Sequence, residues 1–93
     1  MRGKPIRWRA RALADLQAAH EWLETLENAQ PAQTISRIRI AAESMRRLGD
    51  IGRPGIEPGV RELSVRNAPY VIIYRVQADW FDILAVYHTG QQR

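Results

Sequence analysis

Four glycines and two prolines crowd the stretch Gly49-Asp50-Ile51-Gly52-Arg53-Pro54-Gly55-Ile56-Glu57-Pro58-Gly59, and the hydrophobic pattern has a different period on each side of it. Such a stretch suits neither a helix nor a regular strand, because glycine raises the entropy cost of order and proline removes a backbone donor. Ahead of it, Ala12, Leu16, Ala19, Leu23 and Leu26 step by four, three, four and three. That spacing predicts one stripe of an α-helix from Ala10 to about Glu27. Asn28-Ala29-Gln30-Pro31 then interrupts: asparagine tolerates a helix end, and Pro31 suits the first turn of a second helix, where its missing N–H loses nothing. Ile35, Ile38, Ala42 and Met45 repeat the spacing over Ala32 to Leu48, with Arg39, Glu43 and Arg47 placed for i,i+4 pairs on the wet side. Gly49 stands where a left-handed residue usually closes a helix. Two antiparallel helices are expected.

Beyond Gly59 the period drops to two. Val60 to Val65, Tyr70 to Val76 and Trp80 to His88 read as strands, separated by the turns Arg66-Asn67-Ala68-Pro69 and Gln77-Ala78-Asp79. This predicts an antiparallel meander, to which Ile6-Arg7-Trp8 adds an edge strand, while Thr89 to Arg93 forms a polar tail expected to fray. Laying the hairpin's stripe on one face of the sheet gives both a partner, so the class is α+β: a helical hairpin on a three- to four-stranded antiparallel sheet, one domain spanning residues 1-93. In the last strand Phe81, Ile83, Ala85 and Tyr87 alternate with Trp80, Asp82, Leu84, Val86 and His88, and both sets hold apolar groups. A second sheet face bearing Trp80, Leu84 and Val86 is therefore a candidate partner surface.

Composition removes several function classes. There is no cysteine, which excludes a disulfide framework, a thiolate zinc site and a cysteine nucleophile. The two histidines, His20 and His88, have no companions at ligand spacing, so neither a metal nor another cofactor is expected. No phosphate-cradling glycine loop or nucleophile elbow is present. No apolar run marks a signal peptide or membrane span, which points to the cytoplasm and away from a membrane. The net charge is +4, and of 14 basic residues only Lys4 is a lysine. Five cations fall in residues 1 to 11 and four acids, Asp15, Glu21, Glu24 and Glu27, in residues 12 to 30. A basic balance favours acidic partners.

Several runs taken together are familiar. They are Gly52-Arg53-Pro54-Gly55, Pro58-Gly59-Val60-Arg61-Glu62-Leu63, Ala68-Pro69-Tyr70-Val71-Ile72-Ile73-Tyr74-Arg75-Val76 and Ile83-Leu84-Ala85-Val86-Tyr87-His88. With the opening Ile6-Arg7-Trp8 leading into Ala12-Leu13-Ala14-Asp15-Leu16, the chain resembles the ParE branch of the RelE/ParE toxin superfamily from residue 6 to about 90. The resemblance implies a plasmid-stabilising toxin of a type II toxin-antitoxin pair, neutralised by a ParD-like antitoxin with a flexible acidic segment. ParE-like members are similar to proteins that poison DNA gyrase, whereas RelE-like members cut messenger RNA in the ribosome.

Cutting RNA through its own 2′-hydroxyl needs a proton acceptor, a proton donor and cations around phosphorus. The candidates for that alternative are Arg61, Arg75 and His88. Thr89 follows His88 where several ribosome-dependent members carry tyrosine, and Lys4 is too isolated to supply a lysine pair, so the catalytic set is incomplete. Arg61 and Arg75 have a structural explanation too, with stems covering apolar surface and heads pairing with Glu62, Asp79 or Asp82. The expected activity is therefore binding, with Arg53, Arg61, Trp80, Leu84 and His88 as partner-binding residues. The hairpin tip from Asn28 to Gln33, the basic start and the tail after His88 are the pieces most free to reach a target. Tyr70, Tyr74 and Tyr87 fit a packed sheet as well as a base-stacking platform, and no sequence-specific nucleic-acid binding is expected.

Overall fold

A computed structural model describes residues 3–90. The elements run β1 (Ile6–Trp8), α1 (Ala10–Glu24), α2 (Pro31–Leu48), β2 (Arg53–Pro54), β3 (Val60–Ser64), β4 (Tyr70–Val76) and β5 (Phe81–His88). The strands form one sheet in the order β1-β5-β4-β3-β2. The α+β layering matches the sequence expectation, with two differences in the sheet. It has five strands, and it is mixed, because β1 pairs with β5 in parallel while the remaining pairs are antiparallel. The extra strand is Arg53–Pro54, inside the glycine-proline stretch, paired with Glu62 and Arg61 of β3. A proline fits there because β2 is an edge strand, where a missing N–H breaks no ladder.

Helix α1 ends at Glu24, three residues short of the pattern, with Thr25 as its cap. Leu26 consequently leaves the stripe and is exposed, while Ala12, Leu16 and Leu23 are buried. Asn28 turns the chain with φ of 65°, a left-handed conformation that asparagine tolerates better than most residues. Pro31 opens α2 as expected, and Ile38, Ala42 and Met45 pack inward. The expected i,i+4 pairs of Glu43 give way to an i,i+3 pair with Arg46 at 3.7 Å, while the Arg39 guanidinium sits 5.6 Å from the Trp8 ring centre.

Helices and sheet enclose one apolar cluster containing Ala12, Leu16, Ile38, Ala42, Met45, Val65, Tyr70, Ile72, Tyr74, Phe81, Ile83 and Val86. The strict alternation read along β5 fails at Leu84. Ile73 pairs with Ala85 but Tyr74 pairs with Ile83, leaving Leu84 as the extra residue of a β-bulge. The bulge resets the pleat, so Val86 joins Phe81 and Ile83 in the core instead of sharing the outer face with Trp80. Thr89 and Gly90 form a turn, while the rest of the expected fraying tail, residues 91–93, and the first two residues of the basic start lie outside the described residues.

Candidate functional site

The outer face of the sheet has none of the helices packed on it, and it collects three of the residues expected to bind a partner. Register places Arg53 beside Glu62, Glu62 beside Ile73, and Arg75 beside Asp82 on this side. Arg7 of β1 lies beside Asp82, and its guanidinium stands 4.5 Å from the Trp80 ring centre. Trp80 precedes β5 and is half-buried beneath that arginine, which clamps it by a cation–π contact. Leu84 is half-buried without packing against the core. Arg53 donates to Glu62 Oε1 at 3.2 Å.

Asp82 is only 3% exposed. Its Oδ2 accepts from Gln77 Nε2 at 3.2 Å, and its Oδ1 lies 3.7 Å from Arg9 Nε without a hydrogen bond. The Trp80 indole N–H is likewise buried without an acceptor. The pairing of Arg61 or Arg75 with Asp82 expected from sequence is replaced by Arg9, because β1 inserts beside β5 and brings its following residue to that carboxylate.

Arg61 lies on the other face, in a network that ties the glycine-proline loop to the sheet. Its Nε donates to Asp50 Oδ1 at 3.2 Å, and a second guanidinium nitrogen donates to the Gly52 carbonyl. The Tyr74 hydroxyl donates to the same Asp50 oxygen and accepts from the Gly52 N–H at 2.8 Å. Burial, and then the hydrogen bond to Asp50, push the Tyr74 phenol up from the ordinary 10.0 to about 12. Gly52 is required by proximity: a Cβ there would stand 2.6 Å from the Tyr74 hydroxyl and 2.7 Å from the Glu62 carbonyl. Sequence reading singled out Arg61 and gave Tyr74 a place in the packed sheet, which it has, but missed Asp50. The signal was present as an acidic residue between two loop glycines, yet the loop gave no register to place it.

His88 occupies the far end of the core face. Its ring packs edge-on against Trp22 and Tyr70, with centroids 5.4 and 5.3 Å away. Its Nδ1 accepts from the Gly90 N–H at 3.0 Å, an arrangement that leaves Nε2 as the protonated nitrogen of the neutral ring. Burial raises the Tyr70 phenol as well. Nearby, Asp15 reaches from α1 to accept the Val86 N–H at 2.9 Å and the Arg11 Nε at 3.0 Å. Because β1 ends at Trp8, the second half of β5 has no strand on that side, and the Asp15 carboxylate stands in for the missing backbone acceptor.

The three candidate nuclease residues are not brought together. Arg61 pairs in register with Tyr74, and His88 with Tyr70. Four residues of strand separate those two rows, roughly 13 Å at a rise of about 3.3 Å per residue. Arg75 is on the opposite face from Arg61, its strand neighbour across from Tyr74. Lys4 is engaged as well, donating to the Gln77 carbonyl at 2.7 Å. Among the described residues no cluster of histidine, aspartate and glutamate has the arrangement of a metal site, and no helix is long and apolar enough to cross a membrane.

Residues 6–93 match the family model described as the ParE toxin of the type II toxin-antitoxin system parDE. A curated relative from Sinorhizobium fredii, named "Putative toxin Y4kP", is 36% identical over 92 residues, which cover 99% of this chain and 95% of the relative. Among solved structures, the chromosomal ParDE toxin-antitoxin system of P. aeruginosa superposes with a TM-score of 0.76 at 25% identity, over 91% of this chain and 95% of that one. A chain of the RelBE2 toxin-antitoxin complex from Mycobacterium tuberculosis shares the fold, with a TM-score of 0.66 at 20% identity over 92% of this chain and 98% of that one. With the family model covering nearly the whole sequence, this chain belongs to the ParE toxin family of type II toxin-antitoxin systems.

Proposed function

We propose that this chain poisons DNA gyrase in the cytoplasm and is neutralised by a cognate antitoxin. The reading rests on the match to the ParE toxin family over residues 6–93. It gains support from the side chains themselves: Arg61, Arg75 and His88 are spread over both faces and two ends of the sheet, so they form no reacting constellation. In this reading the toxin needs surface rather than a reactive group. Binding that favours the state in which gyrase has cut DNA leaves the enzyme's own covalent intermediate as the lesion.

For the partner surface we assign Arg53, Trp80 and Leu84, which share the face without a helix. Arg61 and His88 support it from the other side, the first by fixing the loop that carries Arg53 and the second by closing the end of the core. An antitoxin segment bearing acids and a few large apolar groups complements a chain of net charge +4 with a clamped tryptophan.

The deciding experiment incubates purified chain with gyrase and supercoiled plasmid. Accumulation of linear plasmid together with loss of supercoiling is expected, and both are expected to vanish when antitoxin is added first. Unaltered gyrase at excess toxin would overturn the reading. Messenger cleavage in a cell-free translation mix, abolished by His88→Ala in a folded variant, would replace it with ribosome-dependent nuclease activity.

A further inference from the structure

Two buried polar atoms on the outer side of the sheet have no hydrogen-bond partner among the described residues: the Trp80 indole nitrogen, a donor, and Asp82 Oδ1, an acceptor. Neither is open to water, and a polar group buried in that way costs free energy that a partner relieves. The two belong together. Phe81 between them turns into the core, so Trp80 and Asp82 lie on the same side of the sheet. Their cover is movable: exposed Arg7 lies over the indole ring, and the guanidinium of exposed Arg9 stands 3.7 Å from the orphaned carboxylate oxygen.

A group that satisfies the pair accepts from one member and donates to the other. A carboxylate does only the first and an ammonium group only the second, while a hydroxyl must do both from a single oxygen. A carboxamide does both from two atoms, and Asp82 already holds one: Gln77 Nε2 donates to its Oδ2 at 3.2 Å. The other carboxamides of the described residues are elsewhere, at Gln17, Asn28, Gln30 and Gln33 along the helical hairpin and at Asn67 in the turn after β3. The occupant therefore comes from a partner.

Arg7 and Arg9 need anions once they lift away. Asp79, exposed on the turn ahead of Trp80, can take one of them and a carboxylate of the partner the other. An acidic segment with an asparagine or glutamine among its acids combines both chemistries. We propose that Trp80 and Asp82 receive one carboxamide side chain of the antitoxin, in a recess that opens when Arg7 and Arg9 are drawn onto neighbouring carboxylates. The inference rests on the antitoxin reading above and gives its surface a specific contact.

The test uses the full chain, alone and in complex with its cognate antitoxin. Proton NMR follows the Trp80 indole N–H, told apart from those of Trp8 and Trp22 by replacing each with Phe. A downfield move of that proton on complex formation is expected. Trp80→Phe removes the donor, keeps a ring under Arg7, and should weaken antitoxin binding about tenfold. Replacing each asparagine and glutamine of the antitoxin with alanine should find one whose loss is not additive with Trp80→Phe. Circular dichroism verifies the fold, and if the phenylalanine variant is unfolded the wild-type indole signal decides alone. An antitoxin that binds while the proton stays in place, or that binds the folded variant equally well, overturns this site and leaves the antitoxin reading standing. Strict additivity at every antitoxin position does the same. Failure of the antitoxin to bind the wild-type chain overturns both. A shift that grows with the concentration of the chain alone overturns the site as well, assigning the recess to a second copy.

Discussion

The hydroxyl of Tyr74 holds the glycine-proline loop at two points, donating to the Asp50 carboxylate and accepting from the Gly52 N–H. Tyr74→Phe leaves the Gly52 N–H and an Asp50 oxygen short of a partner, so a loss of about 1–2 kcal/mol is expected by chemical denaturation. The phenol also sets an alkaline limit. Its folded pKa, about 12, lies above the unfolded value of 10, so its contribution is fully present below pH 10 and is lost as pH rises toward 12. The slope is at most about 1.4 kcal/mol per pH unit for one group, about 3 kcal/mol across the window. Tyr70 adds to that limb with the same sign. The phenylalanine variant should show a shallower fall over this range in pH-dependent unfolding; an unchanged slope would remove Tyr74 as its cause. Asp15 gives a second test. Asp15→Ala orphans the Val86 N–H and should cost about 1.5–3 kcal/mol, whereas Asp15→Asn retains an oxygen that can accept it and should cost less. Equal losses, measured by thermal melts, would show that the acceptor role is not what matters.

Helices were the most legible elements, because their burial follows a single period: Ala12, Leu16, Ile38, Ala42 and Met45 lie where the spacing puts them. Strand β5 was half legible. Alternation predicts Phe81 and Ile83 correctly, but one inserted residue inverts everything after it, and nothing in the local sequence distinguishes Leu84 from its neighbours. Likewise β1 was anticipated as an edge but not as a parallel one, since the direction depends on a crossover through both helices. In the glycine-proline loop, composition excludes regular structure but not the two ladder positions of β2. Two glycines of this region can be separated by mechanism. Gly49→Ala meets nothing within 4 Å, yet φ of 83° and ψ of −154° suit only glycine, so about 1–3 kcal/mol of backbone strain is expected. Gly52→Ala instead collides with the Tyr74 hydroxyl and the Glu62 carbonyl, and should cost on the order of 2–4 kcal/mol. Only Gly52→Ala should also erase the Tyr74 dependence of the alkaline limb; if both variants preserve it, the collision is relieved without moving the loop.

For the molecule as a whole, a net charge of +4 favours an acidic partner without saying where it binds. Of the five residues expected to touch a partner, Arg53, Trp80 and Leu84 share one face, and Arg61 and His88 sit on the other because strand pairing decides the side of each. Antitoxin association should slow several-fold between about 50 and about 200 mM salt, as steering between opposite charges is screened. Stopped-flow fluorescence can follow it, and a rate indifferent to salt would mean that apolar burial alone brings the pair together. The widest consequence belongs to the bulge at Leu84. By adding one residue to β5 it decides on which side of the sheet the strand's end presents its side chains, delivering His88 and Gly90 beside Trp22 on the helix side rather than on the open face. Deleting Leu84 would restore plain alternation, so Val86 and His88 would turn to the face that carries Arg53 and the core would lose both.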